Sequence, residues 1–242
     1  MRKHNFLITF IKKLNVLINN LLIKNLNKLN LNNLLLIAKS NKIFFTFVAL
    51  IVLCLVYFSI PNTYDRNDVS RELQNQIQNK LNLKINLSKN FKYDFFPRPH
   101  FTYSDSSVLI GQNQISIIKD LKIYISLNNL FSLNNTKINN LIIMKSNINL
   151  NKDNYNFFSQ LLNQDLVDLK LVIKDSNIFY RNNDDQVLFI NKIKNMNYYY
   201  DIKDSINVLE SENKIFNLPY TFKISKKKDE KKILSKLNIN FF

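Results

Sequence analysis

Residues 43–60, IFFTFVALIVLCLVYFSI, constrain this chain more than any other feature, because eighteen uncharged residues with only Thr46 and Ser59 polar are hard to keep in water. As a helix they span roughly 27 Å, close to the hydrocarbon thickness of a bilayer. Ile43, Phe45, Leu50, Leu53, Leu55 and Ile60 are the expected lipid-facing apolar residues of this transmembrane segment. A cleaved signal peptide is the rival reading, but its apolar stretch is usually shorter and ends in small residues. Here the run ends in Tyr57-Phe58-Ser59-Ile60-Pro61, so an uncleaved anchor is expected.

The flanks give the span a direction. Arg2, Lys3, Lys12, Lys13, Lys24, Lys28, Lys39 and Lys42 precede it and no acid does. By the positive-inside rule the N-terminus stays cytoplasmic and residues 62–242 are exported. Three segments follow: a basic leader at 1–42, the span at 43–60, and a β-rich region at 61–242. In the leader, Leu7, Ile11, Leu14, Ile18, Leu22, Leu26 and Leu29 recur at helical spacing. Two readings are open there: an amphipathic helix on the anionic leaflet, or low-complexity sequence that supplies only topological charge.

After the span, Val69, Leu73, Ile77 and Leu81 repeat every four residues between polar positions. This spacing predicts a juxtamembrane amphipathic helix over 65–81, with Asp65 as N-cap and Asn82 closing it. From about residue 84 the period becomes two. Leu121, Ile123, Ile125 and Leu127 alternate with mostly polar residues, as do Val167, Leu169, Leu171 and Ile173, and Leu237, Ile239 and Phe241. Such alternation predicts half-buried strands. With a single Gly in the chain, Asn and Asp are expected at the turns. The stretch IMKSNI at 143–148 resembles IKDSNI at 173–178, thirty residues on, and reads as repeated hairpins extending an antiparallel sheet.

The fold class expected is therefore membrane-anchored α+β, mostly β, with an elongated curved antiparallel sheet. Only the 65–81 helix and a short one near 157–162 can cover its apolar face. The sheet then either presents an apolar groove or closes into a small sandwich. In the first case Leu121, Ile123, Ile125, Leu127, Ile143, Leu169, Leu171 and Ile173 would line a groove for lipid.

Several chemistries find no support. Cys54 is the lone cysteine and lies in the apolar run, and His4 and His100 are the only histidines, so no His/Cys zinc site is expected. One Gly leaves no glycine-rich phosphate loop. No Ser-His-Asp set is assembled around His100, which reads as a strand-start residue. The chain is read as no enzyme, with no cofactor and no metal. The basic run KISKKKDEKK at 223–232 reads as a charged hairpin tip rather than a nucleic-acid patch, since an exported domain seldom meets nucleic acid.

The ordered set formed by the span, Pro61-Asn62, the 69–81 stripe, FFPRPHF at 95–101 and ISIIKDLKIYISLNNLFSLNNTKINNLIIMKSNINL at 115–150 resembles the N-terminal region of AsmA-type proteins of Gram-negative inner membranes. LKLVIKDSNIFYRN at 169–182 is similar to a strand pair that recurs in that family. The resemblance implies a long curved sheet with an apolar groove, anchored in the inner membrane and facing the periplasm. It implies a part in outer-membrane assembly or phospholipid transfer, with phospholipid and other envelope proteins as partners. A membrane-anchored scaffold with a closed β core that binds proteins is the alternative. Two departures stand out: Asn82-Leu83 replaces the small Gly after the first helix, and the chain stops at 242 in what reads as mid-strand.

Overall fold

The computed structural model describes residue 16 and residues 42–128, 130–164, 166–227 and 233–239. The leader stripe from Leu7 to Leu29 and Phe241 fall outside these. The chain divides into two compact units, residues 1–56 and 57–242.

In the first unit the described helix is the start of α1 (Lys42–Ser59). Its apolar side chains face outward, with Ile43 89 % and Leu53 69 % exposed, and Leu50 and Leu55 exposed as well, while Phe45 is half-buried. Phe45–Thr63 is long and apolar enough to cross a membrane. The α-helix ends at Ser59 rather than Ile60, because a residue before proline is disfavoured in the α region; Ile60–Thr63 continues as a 3-10 turn.

In the second unit, α2 (Arg66–Leu81) begins at Asp65, whose carboxylate accepts from the backbone N–H of Asn67 at 2.9 Å and of Asp68 at 3.1 Å. It ends at Asn82, which takes φ 49° in the left-handed region. The short polar side chain of Asn tolerates this geometry. Val69, Leu73, Ile77 and Leu81 are all buried, as their spacing predicts. Each contributes on the order of 2 kcal/mol of apolar burial, less the entropy of ordering it.

Ten strands form one sheet: β1 (Lys84–Asn86), β2 (Phe91–Asp94), β3 (His100–Ile110), β4 (Asn113–Ile125), β5 (Ile138–Leu150), β6 (Lys170–Arg181), β7 (Val187–Asp201), β8 (Ile206–Ile215), β9 (Leu218–Lys226) and β10 (Ile233–Ile239). The order is β1-β3-β4-β5-β6-β7-β8-β9-β10, with β2 beside β1 on the same edge of β3. β10 ends the order and does not pair back to β1, so the sheet is open. All neighbours are antiparallel except β5 and β6. A parallel pair needs a crossover, and residues 151–169, containing the short helix α3 (Phe157–Leu161), provide it.

This parallel pair corrects the reading of the thirty-residue repeat. The repeats are not successive hairpins: Ile143 lies opposite Ile173, Asn147 opposite Asn177, and the Asn177 amide donates to Asn147 Oδ1 at 3.1 Å. Identical side chains stack in register because one strand plus its crossover consumes thirty residues. Lys145 and Asp175 sit at the same place in each copy with φ 52° and 46°, and Asp105 in β3 has φ 57°. At each, the inward side steps by three, from Tyr103 to Ser106, Ile143 to Ser146 and Ile173 to Ser176. The pairing register does not shift at these positions, so adjacent strands share one row of local backbone irregularities rather than bulges.

Two further sequence readings shift. β6 begins at Lys170, so Val167 is an exposed turn residue rather than a strand residue. β4 ends at Ile125, leaving Leu127 outside the sheet.

Candidate functional site

The face of the sheet that carries α2 and α3, called the inner face, holds the hydrophobic core of the second unit. Strand register places its rows side by side. Tyr103, Leu121, Ile143, Ile173, Met196, Ser211, Phe222 and Leu237 lie opposite one another from β3 to β10. The next row, Phe101, Ile123, Leu141, Leu171, Tyr198, Leu209 and Ile224, runs parallel to it.

Three zones differ in how this face is covered. Over β1 and β3–β5, α2 lays its apolar stripe on the sheet and is tied down by Gln76, whose amide donates to Thr136 O at 2.7 Å and accepts from Ile138 N–H at 3.0 Å. Over β6–β8 the cover is the crossover. Its Phe158 ring stacks with Tyr198, and the Tyr198 hydroxyl donates to Phe158 O at 3.0 Å. The Asn207 amide donates to Leu162 O and Gln164 O, each at 2.9 Å, and Lys226 reaches Asn163. The crossover reaches the Lys226 end of β9, and among the described residues no helix lies over β10. On these two strands Tyr220 and Phe222 stack half-buried, Leu237 is 60 % exposed and Ile239 45 %.

The residues expected to line an open groove fall in the covered zones. Leu121, Ile123, Ile125, Ile143, Leu169, Leu171 and Ile173 are buried by the protein's own α2 and crossover, so they form core rather than free surface. Leu127 is 49 % exposed in the loop after β4, where its carbonyl accepts from the Tyr57 hydroxyl at 2.6 Å. The open apolar surface is instead Leu237 and Ile239, with Tyr220, Phe222 and Ile224 half-buried beside them. The alternation in LPYTFKISK and in LSKLNI carries that signal, and among the described residues after 164 no helix occurs.

Tyrosines anchor the rest of the unit. Tyr64 and Tyr93 donate to Leu130 O and Phe58 O, fixing the end of α1 and the 126–136 loop. Burial raises the Tyr64 hydroxyl and pushes Tyr93 up to about 12, and it does the same at Tyr103, also to about 12. Tyr220 is raised by burial beside the open zone. On the outer face, Lys223 and Glu210 pair at 2.7 Å, and this hydrogen bond holds the Glu210 carboxyl below its ordinary range.

His100 opens β3, buried and stacked on Tyr124, with Nδ1 at 2.8 Å from Arg98 O. Among the described residues no three His, Cys, Asp or Glu side chains converge as metal ligands would.

Residues 37–172 match the model of the AsmA family, which is more than half of the 242-residue chain. The chain belongs to the AsmA family. A comparison with curated proteins gives no match. Within this AsmA-family chain the matched stretch carries α2, β1–β5, the crossover and the first residues of β6. Strands β9 and β10 lie beyond it.

Proposed function

We propose that this AsmA-family chain is a non-enzymatic envelope protein, held in the inner membrane by α1 with its N-terminus cytoplasmic and residues 61–242 in the periplasm. It acts in outer-membrane assembly or phospholipid transfer by holding acyl chains on the uncovered zone of its inner face. The observation that carries this reading is the continuation of the apolar rows past the crossover, where Leu237 and Ile239 are exposed beside the half-buried Phe222 and Ile224. Contiguous exposed apolar surface of this kind marks an interaction site. The outward apolar face of α1 and the eight basic residues before it support the anchor and its direction.

A scaffold that binds proteins is the second reading, and the unpaired edge of β10 favours it, since a free edge accepts a partner strand. Photo-crosslinkers at Leu237 and Ile239 of the full chain, activated in cells, separate the two. Adducts with phospholipid mass support acyl binding; adducts with protein alone sink it in favour of the scaffold.

A further inference from the structure

At the opposite end of the sheet lies a cleft of about 750 Å³, distinct from the uncovered zone and within the size range of small-ligand sites. One wall is the flank of α2, the other is α3 and its exit, and the edge strand β1 and the β3–β4 turn complete it. Four glutamines belong to these walls: Gln74 and Gln78 one turn apart on α2, Gln160 on α3 and Gln164 in the bend after it. They are four of the eight glutamines in the chain. Asparagine is abundant everywhere in this sequence, so Asn75, Asn82 and Asn86 at the cleft carry less weight than the glutamines. The apolar floor includes Leu83, Phe157 and Leu161, and no Asp or Glu lines the site.

We infer that this cleft binds a neutral, hydroxyl-rich ligand, a short saccharide. Each carboxamide offers two donors and an acceptor without charge, which suits hydroxyls that both donate and accept. The amides of Gln74 and Gln164 make no hydrogen bond of their own among the described residues and so are available. A phosphate or carboxylate ligand would call for cation forks, and Lys84 is the single cation in the lining. A peptide added along β1 would find only a three-residue edge. The saccharide could be free glycan or a glycolipid headgroup, and the chemistry is shared.

The test uses the full chain in an amine-oxide detergent, which carries no sugar. Saturable binding of maltotriose or diacetylchitobiose is followed by saturation-transfer NMR and calorimetry. The Gln74→Leu/Gln164→Leu variant should weaken binding about thirtyfold for two lost hydrogen bonds. Gln186→Leu, outside the cleft, should leave it unchanged, and Gln74→Leu alone, expected to weaken binding about fivefold, serves if the double variant fails to fold. In a second arm, amide exchange across 157–164 is compared in phosphatidylcholine vesicles with and without digalactosyldiacylglycerol. Protection by glycolipid alone assigns the site to a headgroup; a response to soluble sugar as well assigns it to free glycan. No saccharide response in either arm, unchanged binding by the wall variants, or protection of 84–86 by an extended peptide alone would overturn the inference.

Discussion

The β8–β9 hairpin turns through two residues, Phe216 and Asn217, with φ 47° and 65°. Two successive positive φ values define the type I′ hairpin turn, whose favoured residues are Asn-Gly. Phe216 has neither the small side chain nor the local hydrogen bonding that makes this region tolerable, and a bulky residue there costs roughly 1–2 kcal/mol. Its ring is exposed and meets only Phe189, at a centroid distance of 6.4 Å. That contact is near the outer limit of useful ring pairing and contributes at most about 0.5 kcal/mol. Replacing Phe216-Asn217 by Asn-Gly therefore relieves more than it removes, for a net gain of about 1 kcal/mol. Thermal unfolding of the full chain in one detergent, followed by far-UV circular dichroism, should show Tm raised by about 2–4 °C. Amide exchange in β8 and β9 should slow in parallel. An unchanged or lower Tm would refute the claim that the turn is strained and would mean that Phe216 packs usefully.

Leu237→Asp places a charge on the uncovered zone, and phospholipid crosslinking at Ile239 should fall about tenfold while Tm moves little. Asn207→Ala removes both amide bonds to the crossover, so the chain should lose about 2 kcal/mol in denaturant titration, with amide exchange at 157–164 accelerated most. Tyr103 has its folded-state pKa raised from 10.0 to about 12, so its neutral form is favoured by folding. Stability from this group is complete below pH 10 and is lost as pH rises toward about 12, a change of roughly 3 kcal/mol that Tyr103→Phe should largely abolish in alkaline unfolding curves.

Local pattern made much of the fold readable. Four apolar residues spaced by four, preceded by Asp65 and closed by Asn82, leave little choice but a capped helix with one buried face. Alternation likewise marks β4, β6 and β10. What the sequence concealed was pairing at a distance. The repeat at 143–148 and 173–178 has the same local signature whether its copies stack in parallel or follow as hairpins; only the crossover at 151–169, which returns the chain to the same end of the sheet, decides between them. The left-handed backbone at Lys145 and Asp175 was hidden because these residues carry no glycine signal. The exposed apolar surface was misplaced for a related reason. Ile123 and Leu171 look as free as Leu237 in sequence, but the first two are buried under the protein's own elements and the third is not.

The chain has no tryptophan, which makes the decisive measurement direct. A Phe222→Trp reporter on the uncovered zone and an Ile117→Trp reporter on the opposite, outward face of β4 would each give a single emission to follow. In vesicles of phospholipid brominated mid-chain, acyl chains lying on β9 and β10 should quench the Phe222→Trp reporter and leave the Ile117→Trp reporter bright. Equal quenching of both, or of neither, would contradict the account of the inner face as an acyl-chain site.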